Sequence, residues 1–265
     1  MKPLSLGILT AALILGGCAT TGGDHHTHAG GHGETAAPAE ALSERDAQRM
    51  LREARSAMKA GDYETAISRL EALEARFPFG IYAQQALLEI AYAYYRYDEP
   101  ESAIATLDRF INLYPRHPRI DYARYLQGVV LFQRIHSGVD RWLGLDPADR
   151  DPESARRAFR YFAEVVREHP DSPYAADALQ RLIYLRNLLA RHELHVADFY
   201  LRRGAYVAAA DRVIYLLQQL PRTPAQYPAL AILESAYQAL ELDDLAEDTA
   251  RIRALNPAPG GGKGE

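Results

Sequence analysis

AIATLDRFINLYPRHPRIDYARYLQG, residues 103–128, holds the end of one helix, a turn marked by Tyr114-Pro115, and the start of the next helix. Ala103, Leu107 and Phe110 precede Pro115 by 12, 8 and 5 residues. The same spacing recurs as Ala66, Leu70 and Leu73 before Pro78, as Ala158, Phe162 and Val165 before Pro170, and as Ala209, Val213 and Leu216 before Pro221. Steps of four and three put each trio on one helix face. Alanine there lets a neighbouring helix approach, and the two larger residues fill the adjacent layer. Proline then stops the helix, because its ring clashes with the preceding turn and its nitrogen carries no hydrogen.

A small residue, two large apolar ones and a closing proline, repeated at roughly 34 residues, form the tetratricopeptide pattern of stacked helix pairs. Pro78 and Pro115 are 37 residues apart, while the next two intervals are 55 and 51, so repeats three and four carry insertions. A degraded fifth copy closes at Asn256-Pro257, 36 residues after Pro221, with Leu245 at the alanine position. The sequence therefore predicts an all-α protein, a tetratricopeptide-repeat (TPR) solenoid of about five helix-turn-helix repeats over residues 42–257. The repeats are expected at about 43–78, 80–115, 118–170, 172–221 and 224–257.

Local signals place the helices. Ser43 is expected to cap a helix running to Lys59, Ala60-Gly61-Asp62 to turn the chain, and Tyr63 to Phe77 to return. The second repeat starts at Ile81, with Ala83, Leu87, Ile90 and Tyr94 on one apolar stripe and Leu88, Tyr92 and Tyr95 on another. A helix apolar on two sides is sandwiched between neighbours. Asp98-Glu99-Pro100 offers an acidic cap and a first-turn proline, and Asp151-Pro152 repeats the device. Between helix 120–135 and Asp151, the segment 136–150 breaks the period with Gly138, Gly144 and the sole tryptophan, Trp142. It reads either as a binding loop or as a local plug. A long helix from Tyr174 to Arg203 is followed by Gly204 and a helix from Ala205 to Leu220.

Composition limits the chemistry. The chain has 265 residues, 48% hydrophobic, with net charge −5 and no basic cluster, so nucleic acid is not an expected partner. Seventeen tyrosines stand against one tryptophan, and tyrosine suits surfaces that are half apolar and half wet. One cysteine, Cys18, allows no intrachain disulfide. There is no phosphate-binding glycine loop and no Gly-x-Ser-x-Gly elbow. His192-Glu193-Leu194-His195 is not a zincin helix, since that motif needs histidine at 196 and Val196 is there. The reading is a non-enzyme without a cofactor.

The first 17 residues read as a lipoprotein signal peptide. Lys2 precedes an apolar run from Leu4 to Leu15, too short to span a bilayer, and Leu15-Gly16-Gly17-Cys18 resembles a bacterial lipobox. Cys18 is then the lipidation site. Ala19 replaces the aspartate that holds similar lipoproteins at the inner membrane, which favours the periplasmic face of the outer membrane. Residues 18–41 read as a lipid-anchored flexible linker. Within it His25, His26, His28 and His32 are weak metal candidates, and the alternative is a polar tether that happens to be rich in histidine. Residues 258–265 read as a disordered tail.

Lipobox, linker and five repeats together resemble the BamD family, TPR lipoproteins of the outer-membrane β-barrel assembly (Bam) complex. The likeness rests on Ala91-Tyr92-Ala93-Tyr94-Tyr95, Asp108-Arg109-Phe110-Ile111, His117-Pro118 with Ile120-Asp121-Tyr122, Gly138-Val139-Asp140-Arg141, and Arg203-Gly204-Ala205-Tyr206-Val207-Ala208. It covers about residues 42–256, and the His-rich linker departs from it. The resemblance implies an assembly scaffold that binds a POTRA domain of BamA through Arg203, Gly204, Ala205 and Tyr206. It also implies contacts with smaller lipoproteins such as BamC and BamE, and with unfolded outer-membrane proteins. Tyr82, Tyr92, Tyr95, Tyr122 and Tyr125 would serve a groove for the substrate peptide, although core packing accounts for most such tyrosines. The competing readings are a TPR lipoprotein scaffold for cell-wall or division machinery, metal capture by the His tract, and an envelope enzyme with an unrecognised site.

Overall fold

The computed structural model describes residues 39–135, 146, 148 and 152–256, with side chains from residue 43 onward. The signal segment, Cys18, the histidines of the linker, Trp142, the Gly138–Arg141 motif and the tail lie outside the described residues. Ten helices and no strand occur among those described: α1 (Ala39–Lys59), α2 (Tyr63–Arg76), α3 (Ile81–Arg96), α4 (Pro100–Leu113), α5 (Ile120–Ile135), α6 (Glu153–Glu168), α7 (Ala175–Arg202), α8 (Tyr206–Gln219), α9 (Gln226–Ala239) and α10 (Asp243–Leu255). They form five helix-turn-helix pairs. Each helix from α2 onward touches the next where the chain turns back, and α7 also touches α9.

All twelve residues of the four alanine-large-large trios are 0% exposed. Phe110 and Phe162 are the largest side chains in that layer. One core cluster runs from Leu87 in α3 to Ala236 in α9, and a smaller one joins Ala47, Leu51 and Ala54 of α1 to Leu70, Leu73, Ala86 and Ile90. The residue before each closing proline has the same backbone geometry. Phe77, Tyr114, His169, Leu220 and Asn256 have φ between −133° and −122° and ψ between 54° and 72°. The proline ring bars the helical conformation there.

A second repeated device turns the chain inside the pairs. Gly61, Asp98, Gly204 and Glu241 each stand two residues past one helix and two before the next, with φ of 80°, 63°, 74° and 58°. In each turn the following N–H donates to a carbonyl five residues back: Asp62 to Ala57, Glu99 to Tyr94, Ala205 to Tyr200, and Leu242 to Tyr237, at 2.9–3.0 Å. This closes the left-handed helix end, a position for which glycine is best suited.

Several local expectations need correction. Helix α1 starts at Ala39, so Ser43 lies inside it rather than at its cap. The cap with a side-chain bond is Asp62, whose Oδ1 accepts from the Thr65 N–H at 3.1 Å. Glu99 caps α4 by position only, making no side-chain cap bond, and Pro152 itself occupies the cap position of α6. In the fifth pair Ala246 is buried and Leu245 exposed, so the small residue falls one place later than the frame puts it. No further repeat follows α10 among the described residues, and Ile252, whose four counterparts are fully buried, is 50% exposed.

Candidate functional site

Two adjacent first helices carry the candidate tyrosines. Tyr92 and Tyr95 lie on α3, Tyr122 and Tyr125 on α5, and these helices touch. Tyr92 and Tyr95 are 6.1 Å apart between ring centres. Tyr125 stacks on Tyr174 at 4.8 Å, and Tyr122 meets the same ring at 5.5 Å. The Tyr125 hydroxyl donates to Asp177 Oδ2 at 2.6 Å, and Arg181 Nε donates to that oxygen at 2.6 Å. Burial pushes the Tyr122 phenol up to about 12, and burial with the Asp177 bond does the same for Tyr125. Burial also pushes the Asp177 carboxyl up, but bonds from Arg181 and Tyr125 outweigh it and hold the group below its ordinary value. All four tyrosines are half-buried. Such a surface offers flat apolar faces with fixed hydroxyls.

Tyr82 does not join them. It stands ten residues before Tyr92, roughly 15 Å along α3. There it meets Phe77 at 6.3 Å, and its hydroxyl donates to Glu44 at 3.3 Å. Tyr174, expected as the first residue of the long helix, is instead its N-cap, and it gathers Tyr122 and Tyr125, a role that no spacing in the sequence marks.

The Arg203 corner is built by the left-handed turn at Gly204. Arg203 ends α7, its N–H donating to the Tyr200 carbonyl at 3.1 Å. Its guanidinium sits 4.7 Å from the centre of the Phe199 ring instead of on the last carbonyls. No carboxylate pairs with it among the described residues. The Phe199 ring beneath it is exposed. A cation without a carboxylate on an exposed ring matches the anchors of protein interfaces, which are rich in arginine and aromatics.

Comparison with known proteins shows the family. Residues 43–252 match the model of the family described as outer membrane lipoprotein (YfiO). The chain belongs to this family. It is 42% identical over 209 residues to the outer membrane protein assembly factor BamD of Neisseria meningitidis serogroup B, covering 79% of this chain and 78% of that one. With the factor of the same name from Vibrio cholerae O1 it shares 40% over 205 residues, covering 77% and 85%. The crystal structure of MamA aligns over 76% of this chain and 92% of its own at TM-score 0.28 and 20% identity, too distant to carry an argument.

None of the described helices is long and apolar enough to cross a membrane. The segment His192–His195 has a structural role. Glu193 is 1% exposed and accepts from Arg156 Nη2 at 3.0 Å and from Arg212 Nη1 at 3.2 Å. It thereby joins α6, α7 and α8. His192 Nδ1 lies 2.7 Å from the Ala148 carbonyl. No group of metal-ligating side chains is assembled among the described residues.

Proposed function

We propose that this chain is an assembly factor for outer-membrane β-barrel proteins within a Bam complex, working by binding and not by catalysis. Acylated Cys18 anchors it to the periplasmic face of the outer membrane. The Arg203-Gly204-Ala205-Tyr206 corner docks a POTRA domain of BamA, and Tyr92, Tyr95, Tyr122 and Tyr125 receive unfolded barrel segments. BamC-like and BamE-like lipoproteins are further partners. The observation that carries the reading is Arg203, which is exposed, lies on Phe199, and lacks a carboxylate among the described residues. Breaking a buried interfacial charge pair costs roughly 2–5 kcal/mol of binding, while losing a helix-end cation costs roughly 0.3–1 kcal/mol of stability. Arg203→Leu should therefore melt nearly as wild type yet lose BamA on purification from detergent-solubilised outer membrane. Full retention of BamA would remove Arg203 from the interface.

A further inference from the structure

The turn between the first two helix pairs departs from a pattern kept by the other three. In those, the residue after the closing proline is charged and exposed: Arg116, Asp171 and Arg222. After Pro78 it is Phe79, 87% exposed, the most exposed large apolar side chain among the described residues. Two places on, where the other turns have Pro118, Pro173 and Pro224, stands Ile81, 67% exposed. Gly80 lies between them at φ 84° and ψ −161°, a conformation open essentially to glycine alone. A Cβ on Gly80 would meet nothing within 4 Å, so this tip stands clear of the rest of the protein.

Contacts to α1 fix where the tip sits. The Tyr82 hydroxyl donates to Glu44 at 3.3 Å and Arg76 pairs with Asp46 at 3.2 Å, so the turn lies beside the first turns of α1. The chain enters the solenoid at this end. Twenty residues separate Cys18 from Ala39, and as a coil that length spans about 25 Å. The other end of α1 is about 30 Å further on. Both carboxylates beside the tip are engaged, for Glu44 also accepts from Gln48 at 3.4 Å and Asp46 also pairs with Arg49 at 2.9 Å. What the tip presents is therefore apolar.

We propose that Phe79 and Ile81 insert into the phospholipid leaflet that holds the acyl anchor, a second contact that sets which end of the solenoid faces the membrane. The inference rests on the reading of Cys18 as acylated. Exposed apolar residues mark protein or membrane contacts, and the size of this patch selects the membrane. A stable protein interface takes roughly 800 Å² per partner with matched shape, far beyond a tip of two side chains, whereas lipid needs no matched shape. Apolar side chains at the boundary of headgroups and acyl chains bury to about 5–10 Å. Taking one of this size out of water favours the inserted state about tenfold or more. The anchor, by holding the tip within reach, makes that contact intramolecular.

The test uses the full acylated chain in vesicles of phosphatidylethanolamine and phosphatidylglycerol, with Trp142→Phe removing the sole tryptophan so that a new one reports alone. With Phe79→Trp the emission should shift to the blue and be quenched by lipids brominated along their acyl chains, equally at low and high salt. Arg116→Trp, the matching place in the next turn, should stay unquenched. Ile81→Asp added to Phe79→Trp should abolish the quenching with unchanged melting. A reporter at position 79 that is unquenched on a chain that floats with the vesicles overturns the proposal and leaves the anchor standing. Quenching that survives Ile81→Asp overturns it as well, as does equal quenching at 79 and 116, since tryptophan itself would then be seeking lipid. A blue shift that needs added BamA and comes without quenching by lipid makes the tip a protein contact instead. If the chain does not float with the vesicles, the anchor reading and this inference fall together.

Discussion

Gly128 of α5 lies directly against the ring of Phe162 in α6: a Cβ on Gly128 would stand 2.6 Å from Phe162 Cε1. Phe162 is fully buried and hemmed by Tyr125 at 5.9 Å and Phe132 at 6.2 Å, so the ring has nowhere to retreat. Phe162 is also the middle residue of the third trio. Contact at a glycine therefore sets how closely the two helices of the pair approach.

Gly128→Ala weighs two effects against each other. Alanine in a helix gains about 1 kcal/mol over glycine from backbone entropy, whereas overpacking a core costs about 1–3 kcal/mol. A net loss is expected, restored in part by adding Phe162→Leu. Thermal unfolding of the single and double variants checks it; a single variant as stable as wild type would mean α5 can move off α6. Ala158→Trp, one turn from Phe162 on the same face, should be worse for the same reason.

The Glu193 clamp should be asymmetric. Its carboxylate is buried, while the side chains of Arg156 and Arg212 are 36% and 44% exposed and can hydrate if it is lost. Glu193→Met is thus expected to be mild. Replacing both arginines by methionine strands a buried charge and should cost about 3–5 kcal/mol. Chemical denaturation of the two variants reads the order, and the reverse order would refute the clamp.

Much of this architecture was legible because its causes are local. Proline excludes the helix at the residue before it whatever surrounds the chain, and the alanine trio reports a close contact through size alone. Glu193 was not legible. Its partners lie 37 and 19 residues away on other helices, so by sequence it resembles any solvated acidic residue. The left-handed turns at Asp98 and Glu241 were hidden for a related reason, since no glycine marks them. Among the candidate residues, Tyr92, Tyr95, Tyr122 and Tyr125 stood out as an aromatic pattern, whereas Tyr174, which packs against two of them from another helix end, did not.

Glu241→Gly should stabilise the fifth pair. Its φ of 58° costs a side-chain-bearing residue about 1 kcal/mol that glycine avoids. Gly204→Ala, at φ 74°, should lose a similar amount. Differential calorimetry of both variants would show opposite shifts, and parallel shifts would contradict the shared turn geometry.

Tyr122 supplies a pH signature. Burial lifts its phenol from the ordinary 10 to about 12. A group raised in the folded state contributes its full stability below pH 10 and loses it as pH climbs toward 12. Wild type should lose stability relative to Tyr122→Phe across that window, by roughly 1.4 kcal/mol per pH unit. Matched denaturant titrations through the window test this, and a constant difference would mean the phenol is solvated.

Depletion of the chain from its own cell tests the central claim most directly. The quantity to measure is the fraction of outer-membrane β-barrel protein in the folded, heat-modifiable form on unboiled gels. The account predicts that this fraction falls as the chain is depleted, recovers with wild type, and fails to recover with Arg203→Leu at equal protein level. A folded fraction that stays unchanged through complete depletion would contradict it.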